Sequence, residues 1–128
     1  MVAEVINLPW PSRDLHPNAR KDRRFATNTR QAAREAGYFL AKQFINSGGV
    51  PTDHLVLTFC PPDNRRRDLD GAFSACKSAL DGISQALGRD DQHWTFTLLR
   101  GPVDRKGGHV EIVFQVVPGV LPATGWVS

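Results

Sequence analysis

Two aspartates one residue apart, Asp68 and Asp70, follow directly on three arginines, Arg65, Arg66 and Arg67. Close carboxylates repel unless a cation joins them, and a hard ion such as Mg²⁺ is held by a few carboxylates together with substrate phosphates. With Asp70 at zero on a helical wheel of about 100° per residue, Ser74, Lys77 and Asp81 fall within about 40° of it. One helix face would then carry carboxylate, amine and carboxylate. A second acidic pair, Asp90 and Asp91, stands past the end of that helix and reaches the same site if the next strand returns beside the previous one. Acids for a cation beside arginines for phosphate are the residue types of a Mg²⁺ site that meets a phosphate-bearing substrate. Each piece also has a simpler use. An aspartate at a helix start is a common N-cap, Lys77 and Asp81 at four-residue spacing make an ordinary surface ion pair, and Asp90-Asp91 suits a solvated turn. The simpler uses do not account for the clustering.

These residues need elements to position them. Val2 to Leu8 reads as a short strand closed by Pro9 and Pro11. Ser12 to Ala26 lacks a clean period and reads as a long polar loop. Ala33, Ala36, Leu40 and Phe44 recur at helical steps over Thr27 to Asn46, and Ser47-Gly48-Gly49 supplies the stop. Leu55, Leu57 and Phe59 alternate in a second strand that Pro61-Pro62 ends. From Asp68 to Leu87 the stripe Leu69, Ala72, Phe73, Cys76, Leu80, Ile83 and Leu87 predicts one helix, with Gly88 placed to terminate it. Trp94 to Leu98 alternates as a third strand and Val110 to Val117 makes a fourth; the turn Asp104 to Gly108 predicts that these two form a hairpin. The expected class is α+β, one domain in the order βαβαββ, with a mixed sheet packed against two helices over residues 1–118 and a loosely held tail at 119–128.

A chain of 128 residues with 41% apolar and 23% charged residues suits one globular domain. Its apolar runs are far shorter than the roughly 18 residues that a membrane span needs, and no signal-like segment opens the chain, so a cytoplasmic protein is expected. Cys60 and Cys76 lack metal-ligand spacing and read as buried thiols; His16, His54, His93 and His109 read as surface or packing residues. The net charge of +3 is unevenly spread. Seven basic and three acidic residues between Ser12 and Tyr38 give a local +4, leaving −1 for the remainder. A basic arm beside an acidic cluster is the footprint of a nucleic-acid partner.

The segment Arg65-Arg66-Arg67-Asp68-Leu69-Asp70, then Lys77-Ser78-Ala79-Leu80-Asp81-Gly82 and Asp90-Asp91, resembles the RusA family of Holliday junction resolvases. Leu8-Pro9-Trp10-Pro11-Ser12 is similar to the family's opening, and Lys106 to Glu111 to its terminal hairpin. The similarity spans about residues 6–117. Gly71 stands where the family has asparagine, and the lysine comes seven positions after Asp70 where some members place it after four. The resemblance implies a homodimeric, Mg²⁺-dependent endonuclease that nicks paired strands of a four-way DNA junction. It assigns Asp68, Asp70 and Asp91 as metal-binding carboxylates, with Asp90 the competing choice for the third, and Lys77 as the catalytic lysine. Arg20, Arg23, Arg24 and Arg30, with Arg65, Arg66 and Arg67, would grip phosphates flanking the branch point by shape more than by base readout. Trp10 and Phe25 could stack at an opened junction, whereas Phe73 is assigned to the core.

Overall fold

The computed structural model describes residues 5–15 and 23–115. Arg20 and the proposed tail at 119–128 lie outside the described residues, as do the side chains of Arg23, Arg24 and Phe25. The chain forms strand β1 (Val5–Pro9), a 3₁₀ turn (Arg13–Leu15), helix α1 (Arg23–Asn46), strand β2 (His54–Cys60), helices α2 (Leu69–Ala75) and α3 (Lys77–Leu87), a second 3₁₀ turn (Asp91–His93), and strands β3 (Thr95–Arg100) and β4 (His109–Phe114). It is a small α+β domain whose four-stranded mixed sheet packs against the helices.

Alternation explains how. In β2, Leu55, Leu57 and Phe59 point to one face and are buried, joined there by Ile6, Leu8, Val110 and Ile112 of the neighbouring strands. Ala41, Phe44, Ala72, Ala79, Leu80 and Ile83 of the helices close over that face. Each large side chain so buried stabilises the fold by roughly 1.5–3 kcal/mol. The opposite face carries His54, Val56, Thr58 and Cys60 on β2, all partly exposed except Cys60.

Three sequence expectations are corrected. First, β3 and β4 do not form a hairpin. The sheet order is β1-β4-β2-β3, with β4 antiparallel to both β1 and β2, and β3 parallel to β2. The connection between Arg100 and His109 is too long for a tight two- to five-residue hairpin, so β4 is free to pass β3 and pair with β2. Second, the helix foreseen over Asp68 to Leu87 is two helices. The Cys76 amide donates to the carbonyl of Phe73, three residues back, tightening one turn and breaking the register between α2 and α3. Third, α1 begins at Arg23, inside the stretch read as loop. Gly88 does end α3, in the left-handed conformation (φ 65°). Among the described residues no helix is long and apolar enough to cross a membrane.

Candidate functional site

The strand register gathers most of the polar chemistry at one end of the sheet. β1, β2 and β3 finish there and β4 starts there: Pro9 lies opposite His109, His109 opposite Cys60, and Arg100 opposite Phe59. The loop leaving β2 carries Arg65, Arg66 and Arg67 into α2. Asp68 caps α2, its Oδ1 accepting from the Asp70 amide at 3.2 Å, and Asp70 sits in the first turn where the helix dipole favours an anion. Both carboxylates are exposed.

The three arginines differ. Arg67 is largely buried, pairs with Asp63 at 2.8 Å, donates to the Asp63 and Arg65 carbonyls, and lies over the Trp10 ring at 5.5 Å. Its carbonyl accepts from Arg100 Nη1 at 2.9 Å, tying the loop to the end of β3. The Arg67 guanidinium and the Arg65 amide hold the Asp63 carboxyl below its ordinary range. Arg65 lies 3.8 Å from Asp63 with 78% of its side chain exposed, and Arg66 is exposed. Trp10 packs edge-on against Phe59 and Phe73 against Phe96, which makes both part of the fold's support.

Asp91 lies elsewhere. Because β3 runs parallel to β2, the crossover through α2 and α3 starts where the strands end and finishes where they begin. Asp68 and Asp70 therefore stand at one end of the β2–β3 pair, and Asp90 and Asp91 at the other, where the Thr95 amide donates to the Asp53 carbonyl. Asp91 lies beside Asp81, near enough for its charge to act on that carboxyl. Partial burial first, then the charge of Asp91, raises the Asp81 carboxyl above its ordinary value, against the pull of Arg34 and Lys77. Lys77 is thus exposed at the start of α3 beside Asp81, as the four-residue spacing suggested, while the tightened turn at Cys76 removes the constant 100° step that put it on the Asp70 face. Asp90 accepts from the Gln92 amide and side chain, which lower its carboxyl. Arg30 lies one turn before Arg34 on α1, exposed, with Thr27 Oγ1 3.4 Å from its guanidinium.

Sequence reasoning missed a third group. Cys60, His109 and Glu111 present one ligand atom each, all within 4.8 Å of one another, and form the one His/Cys/Asp/Glu set so gathered among the described residues. Cys60 and His109 are direct partners in the β2–β4 ladder, and Glu111 follows on the same face. Their sequence separation hides them; only the pairing of β4 with β2 brings them together. Burial, then the charges of Glu111 and Asp104, raise the Cys60 thiol above its ordinary value. Cys76, buried in the helix layer, is pushed up to about 12 by burial alone. Both cysteines are free and buried, as expected. His54 bridges Thr95 and Thr97 on the open sheet face at 2.7 and 2.8 Å, a packing role.

The sheet end therefore offers paired carboxylates next to exposed cations, an arrangement suited to holding a cation against a phosphate. No family model matches the chain. A protein of Xylella fastidiosa (strain Temecula1 / ATCC 700964), described as an uncharacterized protein, is 33% identical over 113 residues, covering 85% of this chain and 74% of the relative. The chain belongs to the same family as that Xylella protein.

Proposed function

We propose that the protein is a Mg²⁺-dependent, structure-specific endodeoxyribonuclease that resolves four-way DNA junctions by paired nicks, acting as a homodimer in the cytoplasm. The observation that carries this reading is the Arg65 to Asp70 segment, which sets two exposed carboxylates at a helix start directly beside two exposed guanidinium groups. The resemblance to RusA resolvases gives that segment its nuclease meaning.

Asp68 and Asp70 fit Mg²⁺ as donors, since this ion takes one or two carboxylates and completes its shell with water and substrate phosphate. When bound, the ion would supply an activated water and charge neutralisation at the scissile phosphate. Arg65 and Arg66 would bind phosphates flanking the cleaved bond. Arg67 would hold the loop in shape through Asp63, Trp10 and Arg100. Lys77 keeps the catalytic role that the resemblance gives it, as a cation that neutralises a nonbridging oxygen or orients the nucleophile, and Lys77→Met should then lower cleavage while leaving junction binding unchanged. Asp91, at the far end of β2–β3, is not a third donor to this pair within one copy.

The test is nicking of a synthetic four-way junction in Mg²⁺, against an EDTA control, flap and linear substrates. Asp70→Asn should abolish nicking and keep binding. Equal cleavage by the variant overturns the mechanism, and equal cleavage of flaps broadens it to branched DNA generally. The separation of Asp91 from Asp68 and Asp70 favours one alternative, a junction-binding protein with weakened catalysis. Tight junction binding with no nicking across several divalent ions would select it.

A further inference from the structure

We propose that Cys60, His109 and Glu111 form a zinc-binding site with three protein ligands and a fourth position open to solvent. The proposal does not rest on the nuclease reading, and its donors are not those assigned to Mg²⁺. A thiol, an imidazole and a carboxylate make a borderline-soft donor set that suits Zn²⁺ and is foreign to Mg²⁺.

Geometry supports the assignment. Glu111 sits between the other two, Oε1 at 3.8 Å from His109 Nε2 and Oε2 at 4.0 Å from Cys60 Sγ. Tetrahedral ligands at zinc bond lengths lie roughly 3.3–3.6 Å apart. The three ligand atoms lie within 4.8 Å of one another, so closing the set needs side-chain shifts of at most about 1.5 Å. The carboxylate can make them, because the Glu111 side chain is 43% exposed and that of His109 31% exposed.

The orientation of the imidazole is already fixed. His109 Nδ1 lies 2.8 Å from Asp104 Oδ2, and a carboxylate can only accept there, so Nδ1 is the donating nitrogen and Nε2 is the one turned towards Glu111 and Cys60. A carboxylate holding the outer nitrogen of a histidine is the usual support of a zinc-binding imidazole. Asp104 is itself held by the turn, its Oδ1 accepting from the Lys106 amide at 3.0 Å. Gly101 backs the thiol so closely that a Cβ there would stand 2.6 Å from Sγ, which closes the protein side of the site. The exposed side belongs to His109 and Glu111. Three protein ligands with one open position are the coordination of a zinc ion that can take up a further ligand.

The test uses the full chain, stripped with a chelator and titrated with Co²⁺ as a spectroscopic stand-in, then with Zn²⁺ against a chromophoric competitor. One equivalent per chain is expected, with a thiolate-to-cobalt charge-transfer band. Cys60→Ser should remove the band, and Cys76→Ser should keep it. Asp104→Asn should weaken Zn²⁺ binding by about 10–100-fold while leaving the band in place at saturation. His109→Gln, at a half-exposed position, should weaken it by at least as much and keeps the test decisive if Cys60→Ser does not fold. Excess Mg²⁺ should not displace Zn²⁺. Absence of stoichiometric binding, a band that survives Cys60→Ser, or unchanged affinity in both Asp104→Asn and His109→Gln would overturn the site.

Discussion

Asp68 carries two roles that substitution can separate. As the N-cap of α2 it satisfies the Asp70 amide, so Asp68→Ala should cost about 1 kcal/mol of stability in urea unfolding, whereas Asp68→Asn, an equally good cap, should cost a few tenths at most. If Asp68 also holds Mg²⁺, both variants lose nicking alike. Asp81 makes a different prediction. Its carboxyl is raised in the folded protein by partial burial and by Asp91, so the ionised side chain opposes folding above its folded pKa, and the penalty fades as pH falls through that value and is gone below the unfolded one. Asp81→Asn should therefore raise the urea midpoint at about pH 7 and lose that advantage near about pH 3. An equal gain at both values would mean that ionisation of Asp81 is not the cause. At this scale the sequence was readable where interactions are local. The cap at Asp68 and the Lys77–Asp81 proximity follow from spacings of two to four residues. The meeting of Asp81 with Asp91 depends on how the chain turns at Gly88, and the Cys60, His109 and Glu111 set depends on strand register; neither is written in a spacing.

The helices and strands themselves were legible, but their partners were not. Hydrophobic periodicity located α1 and both halves of α2–α3, because a buried stripe is a property of one segment. It could not show the break at Cys76, where the apolar stripe continues while the hydrogen-bond register changes. Alternation located β3 and β4 but not their order, since an alternating strand fits equally well beside any neighbour with a buried face. Glycine placement was half legible. Gly88 was recognisable as a terminator, whereas Gly82 has its reason in another element: a Cβ there would stand 1.9 Å from the Arg34 carbonyl oxygen and 2.9 Å from the Tyr38 amide. These are backbone atoms of α1, which cannot swing aside as a side chain can. Gly82→Ala should thus separate α1 from α3 and destabilise by about 1–3 kcal/mol or more, in the range of overpacked cores. Gly88→Ala meets no atom within 4 Å and should cost only the left-handed backbone penalty, about 1–2 kcal/mol. Tryptophan fluorescence offers a second readout. Only Gly82→Ala should alter the folded-state spectrum, because it alone moves packed elements.

A net charge of +3 is too small to draw the whole molecule onto DNA, so affinity must come from local cation groups, and among the described residues the exposed candidates divide between two ends. Arg65 and Arg66 flank Asp68 and Asp70, whereas Arg30 and Arg34 lie on α1 towards the Asp81–Asp91 end. Each phosphate neutralised on duplex DNA contributes about 0.9 to the slope of log K against log salt. A four-way junction has two-fold symmetry, and a homodimer placed on it would use each arginine twice. Arg66→Ala should then lower the salt slope of junction binding by about 1.8 for a dimer but about 0.9 for a monomer. Arg67→Ala should act differently. Its guanidinium is committed to Asp63 and Trp10, so the loss should appear as lower stability, with little change in slope. Measuring the slope for both variants, beside the solution mass of the free protein, links residue chemistry to assembly. A slope change near 1.8 with a dimeric mass supports paired nicking by two symmetric sites. A change near 0.9 with a monomeric mass leaves a chain that engages one arm at a time, and coordinated resolution by a dimer would be excluded.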